Sequence, residues 1–402
     1  MTTVPLKRMA TVRVSNVDKK SVDGEPPVRL CNYTDVYYRN EITPRQEFMT
    51  ASASPAQISA FRLHRDDVII TKDSETAEDI GVPAYVRSTA PDLVCGYHLA
   101  MLRPQPRLLD GRFLYWFMSS MTARDQLAVA ATGVTRFGLR ADSTGSMLVP
   151  SWPVEQQRAI ADYLDTETAR IDALIAKKQR LSTSLEARFQ ARVSKALWET
   201  EGKTVRLKHL CGSPSSGNRD HQSFVEGDGV PCLRGLNIRA GRIQREELLY
   251  ISENTHARQR ATQLSAGDLV IVRSGLAGAA AVVPGDLAGA NCVDLVVVRQ
   301  SPQVLPTWLE YVINSREAQE QVVWRQAGAI LTHFNAVDAG ELWIPRVSIS
   351  VQRTAAAVLN RARHNRDVIL SRLDRQTQLL QEHRQALITA AVTGELDVSR
   401  AA

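Results

Sequence analysis

The sequence predicts an α+β protein made of two tandem, similar domains. Each domain is followed by a long helix, and the two helices pair as an antiparallel coiled coil. Three observations lead there. The chain repeats itself: 61–73 (FRLHRDDVIITKD) returns as 263–274 (QLSAGDLVIVRS), 81–86 (GVPAYV) as 278–283 (GAAAVV), and 92–104 (DLVCGYHLAMLRP) as 290–302 (ANCVDLVVVRQSP). The ends of the copies also match, AATGVTRFGLRADSTGSMLVP up to Pro150 against RQAGAILTHFNAVDAGELWIP up to Pro345, with EQQR (155–158) answered by SVQR (350–353). After each exit comes a long, proline-free, glycine-poor run of helical character. A period of about 200 residues is far too long for a solenoid unit and means two domains.

The boundaries read as 1–153 for the first domain, 154–201 for its helix, 202–348 for the second domain, and 349–402 for the second helix and tail. Short apolar runs punctuated by Gly, Pro and Asp predict strands at 28–30, 67–71, 85–86, 98–103 and 146–149. A helix is expected over 111–127. In the second domain the strands are expected at 231–233, 268–272, 280–283 and 295–299, with a helix over 306–316. Between the domains Ile160, Leu164, Ile171, Leu174, Leu181 and Leu185 recur three, four or seven residues apart, a narrow stripe of coiled-coil type. At 1.5 Å per residue such a helix is about 60 Å long and needs a helical partner. The chain supplies one over 352–392, with Val358, Ile369, Leu373, Leu380, Leu387 and Ile388. Pro153 sits near the start of the first helix, and Gly202 and Gly394 fall where helix stops belong.

Composition narrows the function. A chain of 402 residues with 44% apolar residues builds a real core in each half. No apolar run reaches the roughly 18 residues of a membrane span, and no signal-peptide core stands at the N-terminus, so a cytoplasmic location is expected. The five cysteines lie too far apart for a disulfide framework, and Cys211, His221, Cys232 and Cys292 match no common zinc spacing. The net charge of +6 is a mild basic bias, compatible with nucleic acid without establishing it.

Convergent catalytic groups are missing. There is no Gly-x-x-x-x-Gly-Lys-Ser/Thr phosphate loop, no Gly-x-Gly-x-x-Gly, no Gly-x-Ser-x-Gly elbow and no His-Glu-x-x-His helix. The Asn/Asp-Pro-Pro-aromatic loop of adenine methylases is absent too. The acidic pairs 66–67, 78–79 and 246–247 are not followed by the Glu-x-Lys of a nuclease, and Glu201-Gly202-Lys203 lies in the interdomain linker. A binding protein without chemistry or cofactor of its own is the expectation.

Against that background the chain resembles the specificity subunit of type I restriction–modification systems, over nearly its whole length. The pieces that carry the resemblance are RLCNYTDVYYR (29–39), VIITKDSE (68–75), CGYHLAMLRP (95–104), GVTRFGL (133–139), PVEQQRAIADYLDTETARIDALIAKK (153–178) and ALITAAVTGELDV (386–398). In the second copy Glu-Gln is degraded to Val351-Gln352 and Ile-Ala to Ala355-Ala356. The resemblance implies two target-recognition domains held apart by the helices, each reading half of a bipartite, asymmetric site in double-stranded DNA. It implies that the helices dock methylating subunits, two in number, and that restriction subunits that translocate and cleave DNA join them. Methyl donor and ATP then belong to those partners. The rival expectation is a coiled-coil scaffold for proteins without sequence-specific DNA binding.

Loops should supply the DNA contacts, because strands and helices are needed for the core. In the first domain Lys72 and Arg136 are the leading candidates, with Tyr33, His98 and Arg140 behind them. Arg136 sits in a loop whose glycines allow close backbone approach. In the second domain the matching positions are Arg273 and Thr332–His333, and Arg234 with Asn237 adds an Arg for guanine and an amide for adenine. Each has a plainer alternative. Lys72 pairs with Asp73 or Glu75, Arg136 touches only phosphate, His98 is a bonded core histidine, and Tyr33, Tyr37 and Tyr38 pack. The arginines at 361, 363, 366, 372 and 375 read as a solvated or partner-facing helix surface.

Overall fold

The computed structural model describes residues 2–199, 202–217, 224–225, 229–326 and 333–398. Internal contacts divide the chain into two units, Met1–Lys178 with Asp374–Ala402, and Gln179–Leu373. Each unit holds one domain and part of both long helices.

In the first unit the central strand Val68–Thr71 is buried along its whole length. It lies between Leu99–Pro104 and Pro83–Val86 in a five-stranded sheet completed by Ala10–Val14 and Glu41–Ile42. Both faces are covered, and residues alternate between them. Val68, Ile70, Ala100 and Leu102 pack with Phe113 and Phe117 of the helix Gly111–Met118. Ile69, Leu99 and Met101 pack with Leu93 and Cys95 of a three-stranded sheet on the other side. Double coverage is why the sequence shows continuous apolar runs rather than alternation. The second unit repeats the plan. Leu269 and Ile271 face the helix Pro306–Ile313, while Val270 and Val272 face a second cluster with Leu233 and Cys292.

The two frames carry the same polar ties. Buried Asp67 accepts from His64 N–H at 2.8 Å and from the Arg103 guanidinium at 2.7 and 2.8 Å. Buried Asp268 does the same with Ser265 N–H and with Arg299 at 2.5 Å. These ties correct one expected match. Leu99 pairs with Thr71 and Leu295 with Val272, so Arg103 answers Arg299. Aligning 92–104 with 290–302 by their terminal prolines is two residues out of register over these strands.

The helix expected over 111–127 is two helices, Gly111–Met118 and Met121–Ala130. Ser119 ends the first, and the Ser120 hydroxyl caps the second by accepting from Ala123 N–H. The second domain breaks at the same place, between Pro306–Ile313 and Arg316–Gln326.

The long helices are Val154–Trp198 and Ile349–Thr393. In the first unit Asp172 bonds Arg384 and Lys178 bonds Gln376, so the segments run antiparallel. In the second unit Glu186 meets Arg366 at 3.3 Å, and Val193 and Leu197 share a core with Leu359 and Ala355. The expected stripe is not continuous. Ile160, Leu164, Ile171, Leu373 and Ile388 are buried, but Leu174, Leu181, Val358 and Ile369 are 41–48% exposed. Burial concentrates where a domain packs on the helices, because a lone helix neighbour covers only one side. Arg363 and Arg366, expected on a free surface, bond Glu310 and Glu186 and lie over the rings of Tyr311 and Phe189. No described helix is long and apolar enough to cross a membrane.

Candidate nucleic-acid interface

The loop ends of the first domain form an open cleft of about 620 Å³. Its floor begins where the strand Val68–Thr71 ends. The chain passes Lys72 into a short strand, Asp73–Ser74, which pairs with Phe137–Gly138. Leu139 N–H donates to Lys72 O at 2.8 Å, pinning the following loop beside the first. Thr132 and Gly138 exchange backbone hydrogen bonds of 3.1 and 2.9 Å, closing a tight loop. Gly133 has φ +144°, and its backbone lies so close to the Arg136 carbonyl that a Cβ would overlap it. Val134, 92% exposed, stands at the tip. Arg136 beside it is exposed and makes no hydrogen bond or ion pair among the described residues.

Across the cleft Tyr33 and Tyr37 stack with centroids 5.3 Å apart, and Tyr38 is 77% exposed. The Tyr37 hydroxyl donates to Asp79 at 2.6 Å, which with burial pushes that phenol up to about 12. Tyr33 is raised as well, by burial and by Asp79, with the nearby Arg136 charge opposing.

Between these walls Asp73 gathers two of the predicted readers. Its Oδ2 lies 2.9 Å from Lys72 Nζ and 2.7 Å from His98 Nδ1. Burial raises the Asp73 pKa, but the bonds from His98 and Lys72 outweigh it and hold the carboxyl below its ordinary range. Lys72 also lies 4.8 Å from the Tyr97 ring centroid, and little of its side chain is exposed. Lys72 therefore occupies the ion pair rather than standing free at the surface. Arg140 is exposed and leads into the helix Ala141–Gly145, its N–H donating to Ser143 Oγ.

The second domain arranges its residues differently. Arg273, expected to reach out as Lys72's counterpart, is buried, with Nη1 on Asp294 Oδ1 at 2.6 Å. Asn237 is buried too. Its Oδ1 accepts from Arg234 N–H at 2.9 Å and its Nδ2 donates to Glu246 O, so its amide is spent on the backbone. Neither side chain presents a free edge: Asn237 ties its own loop together, and Arg273 reaches across to the segment before the strand Leu295–Val298. Arg234 is half-buried and donates to Glu247 O at 3.2 Å. His333 is exposed, with Nδ1 2.6 Å from Ser274 Oγ. Phe334 N–H donates to Arg273 O at 3.0 Å, just as Leu139 does to Lys72. Thr332 lies outside the described residues.

Sequence reasoning did not single out Lys19, Asp73 or Asp79 for the cleft. The acidic stretch 73–79 was a visible signal. Lys19 is brought in from far along the chain, and no local pattern marks it. Burial pushes the thiols up, Cys232 to about 11 and Cys211 and Cys292 to about 12. Among the described residues no group of three or more His, Cys, Asp or Glu could hold a metal; His221 lies outside them.

Comparison with solved structures places this geometry. A chain from a structure on complex assembly and conformational transition of the type I R-M system matches over 98% of both chains, with TM-score 0.74 and 16% identity. The chain shares the fold of that solved structure. The HsdS subunit from Thermoanaerobacter tengcongensis matches over 98% of this chain and 97% of its own, with TM-score 0.52 and 17% identity. In sequence the chain is similar to the StySPI specificity subunit of Salmonella potsdam, 25% identical over 183 residues, 43% of this chain and 38% of the relative. It is also similar to the EcoKI specificity subunit of Escherichia coli K12, 22% identical over 227 residues, 53% of this chain and 48% of the relative. The matches thus span less than half the length of these relatives. No family model matches the chain.

Proposed function

We propose that this chain is a non-catalytic, sequence-recognising DNA-binding subunit of a type I restriction–modification complex. Each domain reads one half of a bipartite, asymmetric site in double-stranded DNA. The observation that carries this reading is one frame used twice with unequal loops: the Asp67–Arg103 and Asp268–Arg299 ties recur, while the chemistry at the loop ends differs. In the first domain Arg136, unpaired among the described residues, and an exposed Val134 share a fixed loop tip beside a tyrosine-lined cleft. An arginine fork suits a guanine edge or a phosphate, and an apolar tip suits a thymine methyl.

The helices dock two methylating subunits, which restriction subunits join in the cytoplasm. A groove of about 1200 Å³ at the start of the first long helix favours this. Trp152, Tyr163, Leu396 and Val398 give it apolar surface, and Glu155 and Glu167 give it charge. Methyl donor and ATP are supplied by the partners.

The test is binding of the reconstituted methylase complex to single-base variants of its site at two salt concentrations. Arg136→Ala is expected to relax one position of one half-site by about 1–3 kcal/mol if the fork reads a base. If it holds phosphate, all sequences weaken and the salt slope falls by about one. Unchanged affinity, specificity and salt slope would remove this loop from the interface. Salt-independent binding by the wild-type complex would favour a protein scaffold.

A further inference from the structure

Each long helix leaves its domain through the same enclosed amide. Gln157 is fully buried. Its Oε1 accepts from Asp110 N–H at 2.8 Å, and its Nε2 donates to Leu108 O at 2.9 Å and Trp152 O at 2.8 Å. Gln352 is equally enclosed and repeats the set, accepting from Leu305 N–H at 2.7 Å and donating to Gln303 O at 3.0 Å and Val347 O at 3.1 Å. Each partner in one copy stands at the same sequence interval from its counterpart in the other. The side chains at those partner positions have diverged, Asp110 to Leu305 and Trp152 to Val347, as has the preceding Gln156 to Val351. The glutamine has not, because only backbone atoms are asked of its neighbours.

The chemistry requires this residue type. Accepting one N–H and donating two requires a carboxamide on a stem of this length. Glutamate lacks the donors, and methionine has no donor and only a weak acceptor. The three bonds join the first turn of the long helix to the loop before the domain's own helix and to the segment leaving the last strand. Those two points define a direction, which a single contact would leave free to swing. A second tie at the same interval, Trp116 Nε1 to Asp165 and Tyr311 Oη to Asn360, both 2.8 Å, holds each domain on its helix two turns further along. The glutamine is therefore not needed for attachment alone.

We propose that Gln157 and Gln352 are positioning residues that fix the direction in which each long helix leaves its domain, and thereby the number of base pairs accepted between the two half-sites. The proposal rests on the DNA-recognition reading above. Its lever is helix length. A helix of 45 residues is about 67 Å long, so a tilt of about 3° moves its far end by about 3.4 Å, one base-pair rise.

The experiment uses the full chain reconstituted with its methylating subunits, as wild type, Gln157→Met and Gln352→Met. Methionine keeps the volume and removes the three bonds. Binding is measured on DNAs carrying both half-sites with the native spacer and with spacers one or two base pairs longer or shorter. A parallel set carries single-base changes within each half-site. The expected result is that discrimination between native and altered spacers falls at least 10-fold in both variants, while preferences within the half-sites stay at wild-type values. Wild-type spacer discrimination in the variants overturns the proposal. So does an equal loss across all spacers and half-site changes, which would make the glutamines purely structural. If one variant fails to assemble, the other decides, and failure of both overturns it. A wild-type complex with no preference for paired half-sites would sink the DNA-recognition reading itself, an outcome visible without either variant.

Discussion

Lys72 and Arg273 occupy corresponding positions at the end of the central strand, yet one lies in a three-member charge cluster and the other in a buried pair. Arg273→Ala is expected to destabilise the chain by about 1–3 kcal/mol in urea unfolding, since it removes a buried side chain and its bond to Asp294. It should leave base preference unchanged. Relaxed preference at one base position with stability intact would mean that the arginine leaves its pocket in the complex. The first-domain cluster makes a pH prediction. The Asp73 carboxyl is held below its ordinary pKa by the bonds from His98 and Lys72. A depressed carboxylate contributes stability above its unfolded pKa and loses it as pH falls through the folded value. The contribution of Asp73 is thus full near neutrality and disappears below about pH 4. The melting-temperature gap between wild type and Asp73→Asn should therefore shrink between pH 7 and pH 3. A gap constant across that range would mean the cluster does not hold the charge. The sequence offered Lys72 two partners, Asp73 and Glu75, and the structure takes the first. It did not show Asp294 as the partner of Arg273, and His98 joins Asp73 only because neighbouring strands end side by side.

Among the elements, the long helices divide into segments with different duties. Leu164 lies in the core of the first unit, whereas Leu174 is 46% and Leu181 48% exposed. Leu164→Ala should cost about 2–5 kcal/mol in the isolated chain. Leu174→Ala and Leu181→Ala should stay within about 0.5 kcal/mol. Denaturant titration of the three variants checks this, and equal losses would mean the stripe is buried throughout in solution. Spacing alone placed all three on one stripe. It could not say where a domain covers the helix, because that depends on side chains from segments distant in sequence. The break at Ser119–Ser120 was missed for a related reason: apolar residues on both sides kept helical spacing, and only the serine's capping bond ends the run.

At the level of the whole molecule the duplication has a measurable consequence under the proposed function. Removing seven residues, about two turns or 10.5 Å, from both long helices should shorten the recognised spacer by about three base pairs. Both half-site sequences should stay the same. Mapping methylated adenines in cells carrying the shortened chain reads both quantities. Changed half-sites with an unchanged spacer would refute the helices as rulers.

By itself the sequence determined the repeat, the α+β class and the two long helices. All three arise from periodicity and from local stop signals such as Gly394 at φ +81°. It also marked Arg136, since a loop between glycines ending a strand pattern is a local feature. Tertiary structure alone decided that Asn237 and Arg273 turn inward, that Asp73 binds both Lys72 and His98, and that Gln157 and Gln352 tie each helix to its domain. The physical reason is that a polar side chain's role depends on which backbone groups and charges come within about 3 Å of it. In these cases most partners lie well outside the local window that sequence patterns report.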